Sequence, residues 1–154
     1  MNKIIHYNVA KTNVMTINEI QDEIIEEFVE LEDWMDRYQL LIDMGEEQEG
    51  IPDSEKTEQH LIDGCQSRVW IVCDRSADGR LNFRAESDAL IVKGIVALLV
   101  RVYDNQTPAD ILASEPYFIQ EIGLREHLSP TRSNGLLAML KQMRLYALAF
   151  QAKQ

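Results

Sequence analysis

The stretch RVWIVCDRSADGRLNFRAE, Arg68 to Glu86, decides the fold. Arg68 to Asp74 holds three β-branched residues and a tryptophan, the composition of a strand. Ser76-Ala77-Asp78-Gly79 is a turn signal, after which Leu81, Phe83 and Ala85 alternate with Asn82, Arg84 and Glu86. Period-two alternation on one side of a turn and a β-rich run on the other predict an antiparallel hairpin.

Downstream, Ser87 and Asp88 are placed to cap an apolar helix from Ala89 to about Tyr103. Its hydrophobicity all round predicts the central buried helix. Thr107-Pro108-Ala109-Asp110 starts a short helix, Pro116 to Ile122 gives another that ends at Gly123, and Ser129-Pro130 opens the last, to about Ala152. Gly94 and Gly135 stand alone inside helical sequence and read as points of close packing.

Upstream, Thr16 and Glu19 form a capping box, and Ile17, Ile20, Ile24, Phe28 and Leu31 follow at spacings of three and four. Asp33 restarts a helix bearing Trp34, Tyr38, Leu41 and Ile42, which Gly45 is expected to stop. The polar segment EEQEGIPDSEKTE, Glu46 to Glu58, is a surface loop, and Gln59 to Ile62 reads as a short strand. Helices on both sides of a small antiparallel sheet, without βαβ alternation, make the class α+β. Residues 1–15 lack periodicity and read as a loose arm, leaving 16–154 as one domain.

The 154 residues are 45% apolar and 27% charged, an ordinary composition for a globular domain. No run reaches the roughly 18 uninterrupted apolar residues of a membrane span, and the start MNKIIHYNVAKTNV lacks the apolar core of a secretory signal. A cytoplasmic home is therefore expected, in keeping with only two cysteines and no disulfide framework. The net charge of -11 is uneven: Glu19 to Glu58 holds sixteen acids and two bases, about -14, against ten acids and thirteen bases elsewhere. Phosphate repulsion argues against nucleic acid. The acidic third reads as solvated helix faces, with a docking surface for a basic partner as the alternative.

For chemistry the sequence offers Cys65, Cys73, His6, His60 and His127, without CxxC or HxxxH spacing, so no metal site is expected. A Cys65–Cys73 disulfide is excluded because eight extended residues span roughly 26 Å, against a limit of roughly 7 Å between bridged Cα atoms. Cys73 shares a strand face with Val69 and Ile71 and reads as a buried apolar residue. Cys65 follows Gly64 in a turn, where its sulfur is either displayed for chemistry or buried as a turn residue. Neither His60 nor His127 comes in a hydrolase motif, and GK[ST], GxGxxG and HExxH are absent.

Three blocks then add up. GCQSRVW at 64–70, SDALIVKGIVALL at 87–99 and LSPTRSNGLLAM at 128–139, in that order and spacing, resemble the SufE family of sulfur acceptors for cysteine desulfurases. The resemblance runs from about Thr16 to the C-terminus and implies a fold similar to the IscU-type scaffold. It implies that Cys65 accepts sulfur as a transient persulfide from a pyridoxal-phosphate desulfurase (SufS-like or CsdA-like), stimulates that enzyme, and passes sulfur to an iron-sulfur scaffold of the SufB type. The chain itself needs no resident cofactor or metal on this reading; PLP belongs to the partner.

Carried over residue by residue, Gly64, Gln66 and Ser67 position Cys65, Trp70 is the strand anchor behind it, Asp88 ties the loop to the following helix, and Arg132 contacts the desulfurase. From the residues alone Asp88 is a plain helix cap and Arg132 a solvent-facing first-turn residue. Asp63 departs from the family pattern, and its carboxylate is expected to disfavour the Cys65 thiolate. A CsdE-like acceptor for a different desulfurase, or a regulatory module in which Cys65 is structural, are the alternatives. Monomer and homodimer both stay open.

Overall fold

The computed structural model describes residues 15–153. Its elements are α1 (Ile17–Val29), α2 (Trp34–Glu47), a 3-10 turn (Asp53–Glu55), β1 (Val69–Arg75), β2 (Leu81–Ser87), α3 (Leu90–Tyr103), α4 (Pro108–Ala113), α5 (Phe118–Glu121), α6 (Leu124–His127) and α7 (Pro130–Ala152). The class is α+β, as the sequence predicts. β1 and β2 form the expected hairpin, with Ile71 opposite Ala85 and Cys73 opposite Phe83. Its turn is closed by the Ser76 amide donating to the Arg80 carbonyl at 2.8 Å, with Gly79 at φ 89.

α3 is the hub: Ile95, Val96, Leu98, Leu99, Val102 and Tyr103 are buried along it. One face of the hairpin (Val69, Ile71, Leu81, Phe83, Ala85) and the apolar sides of α1 and α7 close around that helix in one cluster. The capping box forms as predicted, with Glu19 N donating to Thr16 Oγ1 and Thr16 N to Glu19 Oε1. Gln21, fully buried, spans from α1 to the start of α5 by donating to the Glu115 carbonyl and accepting from Phe118 N.

Gly45 does not stop α2, which continues to Glu47. The glycine instead faces α3: a Cβ there would lie 2.9 Å from the Gly94 nitrogen, and one on Gly94 would collide with the Leu41 carbonyl. Two glycines let two helix backbones approach more closely than any side chain permits. Gly45 is buried at a crossing, so the positive-φ stop that glycine often supplies is not needed there.

The Gln59–Ile62 strand contracts to a single bridge, Leu61 with Trp70. Turns on both sides of Leu61 leave no length for more. Two hydrogen bonds nevertheless fix the segment to β1, Ile71 N to the His60 carbonyl at 3.0 Å and Ile62 N to the Val69 carbonyl at 2.8 Å.

The polar loop at 46–58 also has a buried anchor. Ile51 packs with Trp70 and Val72 on the second face of the hairpin. Arg84 grips Glu55 with two hydrogen bonds and reaches Asp74 at 3.1 Å, holding the Glu55 carboxyl below the usual range and raising its own guanidinium. Of the expected loose arm, residues 1–14 lie outside the described residues. Met15 is packed against the core, and its carbonyl accepts from Gln106 Nε2 at 2.8 Å.

Candidate functional site

Cys65 sits on a loop that the chain folds shut at its base. On one side Ile62 N donates to the Val69 carbonyl, closing the Asp63–Arg68 segment into a short excursion from the edge of β1. On the other, Arg68 N donates to Asp88 Oδ1 at 3.1 Å and Asp88 N donates to the Arg68 carbonyl at 3.3 Å. Asp88 thus ties the loop to the residues that lead into α3. It is not the helix cap expected from local sequence: the N-cap is Ala89, no side chain caps α3, and Ser87 Oγ accepts from Ala89 N instead. A carboxylate one residue outside the cap position satisfies the β1 side of the loop, which sequence spacing alone does not reveal.

The tip of the loop lies down on α7. Gly64 takes φ 90, a conformation that favours glycine, and a Cβ on it would come 3.3 Å from the Ala138 Cβ. The Cys65 thiol points at α7, where the Gly135 carbonyl accepts its S–H at 3.7 Å; a Cβ on Gly135 would sit 3.5 Å from that sulfur. The sulfur is half-buried against the edge of the core.

Burial pushes the Cys65 thiol up from its ordinary value, and burial is the sole cause. The expected influence of Asp63 is therefore not seen. Asp63 is exposed, where solvent screens its charge.

The other sequence-predicted residues distribute as follows. Gln66 is exposed and Ser67 half-exposed, and among the described residues no side-chain hydrogen bond holds either. Trp70 does not stand behind Cys65. Strand alternation sends it to the opposite face of the hairpin, over Ile51 and within 5.8 Å of the Lys56 ammonium. Arg132 is exposed in the first turn of α7, three residues before Gly135, so its guanidinium and the thiol lie at the same end of that helix.

No imidazole among the described residues serves Cys65. His60 Nδ1 is engaged by the Glu55 carbonyl, and the His127 ring stacks on Trp34 at 4.0 Å with its Nδ1 on the Gly123 carbonyl. Among the described residues no cluster of three His, Cys, Asp or Glu side chains could hold a metal ion.

Cys73, the second thiol, is also unpaired. It is locked in β1 opposite Phe83, and burial followed by the Asp74 and Asp104 carboxylates drives its thiol up to about 12. Sequence reasoning missed the α7 seat, Gly135 with Ala138. An isolated glycine in the apolar run SNGLLAM signals a close approach, but not that the approaching group is a cysteine sulfur.

The site as built displays one thiol, tethered at both ends of a six-residue loop, shielded by a helix and, among the described residues, without an imidazole beside it. Such a thiol can take part in sulfur exchange with a second thiol brought to it.

Comparison with known proteins agrees with this architecture. A family model described as "SufE: Fe-S metabolism associated domain" matches residues 22–147. The solution structure of a hypothetical protein from Thermus thermophilus superposes with a TM-score of 0.71 at 22% identity, over 86% of this chain and 96% of that one. That likeness establishes a shared fold. Among the described residues no helix is long and apolar enough to cross a membrane.

Proposed function

The chain belongs to the SufE family, a domain associated with iron-sulfur metabolism, and from that premise we propose that it is a sulfur acceptor working with a cysteine desulfurase. The observation that carries the reading is the seating of Cys65: a half-buried thiol on a loop pinned at its base, its S–H resting on the Gly135 carbonyl.

In the transfer step the Cys65 thiolate attacks the terminal sulfur of a persulfide on the partner's cysteine. A new S–S bond forms on Cys65, the partner's S–S bond breaks, and the partner's thiolate leaves and takes up the proton that Cys65 gave up. Oxidation states balance, since one sulfane sulfur moves between two thiols. Burial disfavours the Cys65 thiolate in its seat, so displacing the loop from α7 or bringing a base would let the partner promote attack.

The same seat gives the product a reason to persist. A persulfide folded back against Gly135 and the edge of the core is shielded from water and from stray thiols until a scaffold takes it. Arg132, exposed at the same end of α7, is suited to meet a carboxylate of the desulfurase. A reducing cytoplasm suits the protein, whose two thiols are unpaired.

The decisive experiment incubates the protein with a desulfurase and cysteine and weighs the Cys65 peptide by mass spectrometry. One added sulfur, absent from Cys65→Ser, is expected. Stimulation of the desulfurase with no added sulfur would replace the carrier by a regulatory module.

A further inference from the structure

α7 differs from the rest of the chain in charge as well as in length. From Pro130 to Gln154 there is no aspartate or glutamate, while Arg132, Lys141, Arg144 and Lys153 are present; the rest therefore carries all 26 acids against 11 of the 15 bases, about -15. On the outward side of this helix Leu137, Leu145 and Leu148 are 39%, 46% and 53% exposed. With Leu112 of α4 they line an open groove that Lys141 and Arg144 border.

The spacing from 137 through 141 and 144 to 148 is that of one continuous helical stripe. It is not core-facing, for Leu136, Met139, Met143 and Ala147 do that, and it is not the Cys65 seat, which uses Gly135 and Ala138.

Arg144 donates to the Ser114 and Leu112 carbonyls at 3.2 and 3.0 Å, which orients the guanidinium without neutralising it, and Lys141 is exposed with no carboxylate partner among the described residues. An apolar stripe bordered by positive charge is complementary to a helix that presents leucine-like side chains flanked by carboxylates.

We propose that this groove docks an acidic amphipathic helix of a protein partner, separately from the Cys65 loop. This goes beyond the sulfur-acceptor reading and does not depend on it. Complementarity also disfavours the occupants available within the chain. Residues 1–14 carry Lys3 and Lys11 and no carboxylate, so they repeat the sign of the groove border. A second copy crossing α7 on α7 about its stripe would bring Lys141 towards its own image. The acidic helices α1 and α2 offer a second copy only Val29 and Met35 as large exposed apolar side chains.

The test titrates the full chain into a fluorescein-labelled peptide of about 18 residues, five helical turns, with leucines at positions i, i+4, i+7 and i+11 flanked by glutamates. A matched peptide has lysines in place of the glutamates. Anisotropy should report binding of the glutamate peptide and not of the lysine peptide. Leu148→Glu should weaken it by about tenfold or more, the scale of one seated leucine. Lys141→Glu should weaken the glutamate peptide and improve the lysine peptide, a reversal that damage to the fold cannot mimic.

Equal binding of the two peptides, or binding of neither, overturns the proposal. So does a concentration-dependent dimer in sedimentation that Leu148→Glu dissociates, which assigns the groove to a second copy. Binding that appears only when residues 1–14 are removed assigns it to the chain's own arm and overturns it as well. Sulfur loading of Cys65 should be unchanged in both variants, so the failure of this proposal is distinct from failure of the acceptor reading.

Discussion

Cys65 and Cys73 lie eight residues apart, both unpaired, both half-exposed, and both with thiols raised above their ordinary value by burial. They differ in backbone and field. Cys73 is fixed in β1 with its neighbours hydrogen-bonded across to β2, and two carboxylates add to its burial. Cys65 is held at the loop base, and its sulfur is kept in place by one weak S–H bond to a carbonyl of α7. Degree of burial alone therefore does not distinguish the two thiols; what distinguishes them is whether the sulfur can leave its seat without unpairing a strand.

The largest effect expected from breaking this contrast is in sulfur loading. Cys65→Ser should abolish it while leaving the circular dichroism spectrum unchanged. Cys73→Ser should retain loading and instead lower stability by about 1–2 kcal/mol in urea, because a hydroxyl replaces a packed sulfur beside two carboxylates.

Next in size is reactivity towards iodoacetamide as pH rises. The thiolate is the reactive form, so each rate climbs as its thiol ionises. Cys65, raised by burial alone, should alkylate at a pH well below Cys73, whose thiol ionises near about 12. Peptide mapping of the alkylated protein from about pH 7 to about pH 11 reads the order, and Cys73 labelling first would contradict the contrast.

The same shift has a stability consequence with a definite sign. The folded state holds the Cys73 proton more tightly than the unfolded state does, so its contribution is complete below the ordinary thiol value of 9.0 and is lost as pH rises towards about 12. Urea midpoints of the wild type should decline over that window more steeply than those of Cys73→Ala.

Smaller effects should follow from loosening the loop itself. Gly64→Ala places a Cβ at φ 90 and 3.3 Å from Ala138, which should cost about 1–2 kcal/mol and unseat the thiol, raising the alkylation rate of Cys65 relative to Cys73. Asp88→Asn keeps the shape and weakens the bond to Arg68 N. Its cost should be about 1 kcal/mol or less at this exposed site, read as faster amide exchange at Arg68.

Most of the architecture is legible in the chain because it is written in local patterns. The hairpin follows from alternation around Ser76–Gly79, the buried helix from unbroken hydrophobicity at 90–103, and α1 from the Thr16–Glu19 box. The misreadings share a cause, which is that the deciding contact is remote in sequence. Gly45 resembles a helix stop because glycine is also the usual stop residue, and only the opposing α3 backbone shows that it serves close approach. The family resemblance puts Trp70 on the cysteine side, whereas the pleat turns it to the other face and the 46–58 loop covers it.

By itself the sequence determined the class, the hairpin, the central buried helix, the placing of the Cys65 thiol on a turn and the exclusion of a Cys65–Cys73 bridge, since periodicity, capping and chain length are properties of neighbours along the chain. Tertiary structure alone decided where that thiol rests. Gly135 and Cys65 are 70 residues apart, and nothing in the composition of either segment encodes their meeting. The rise of the Cys65 thiol likewise follows from burial against α7, because desolvation depends on what packs over the sulfur, while the exposed Asp63 charge, close by in sequence, is screened by water.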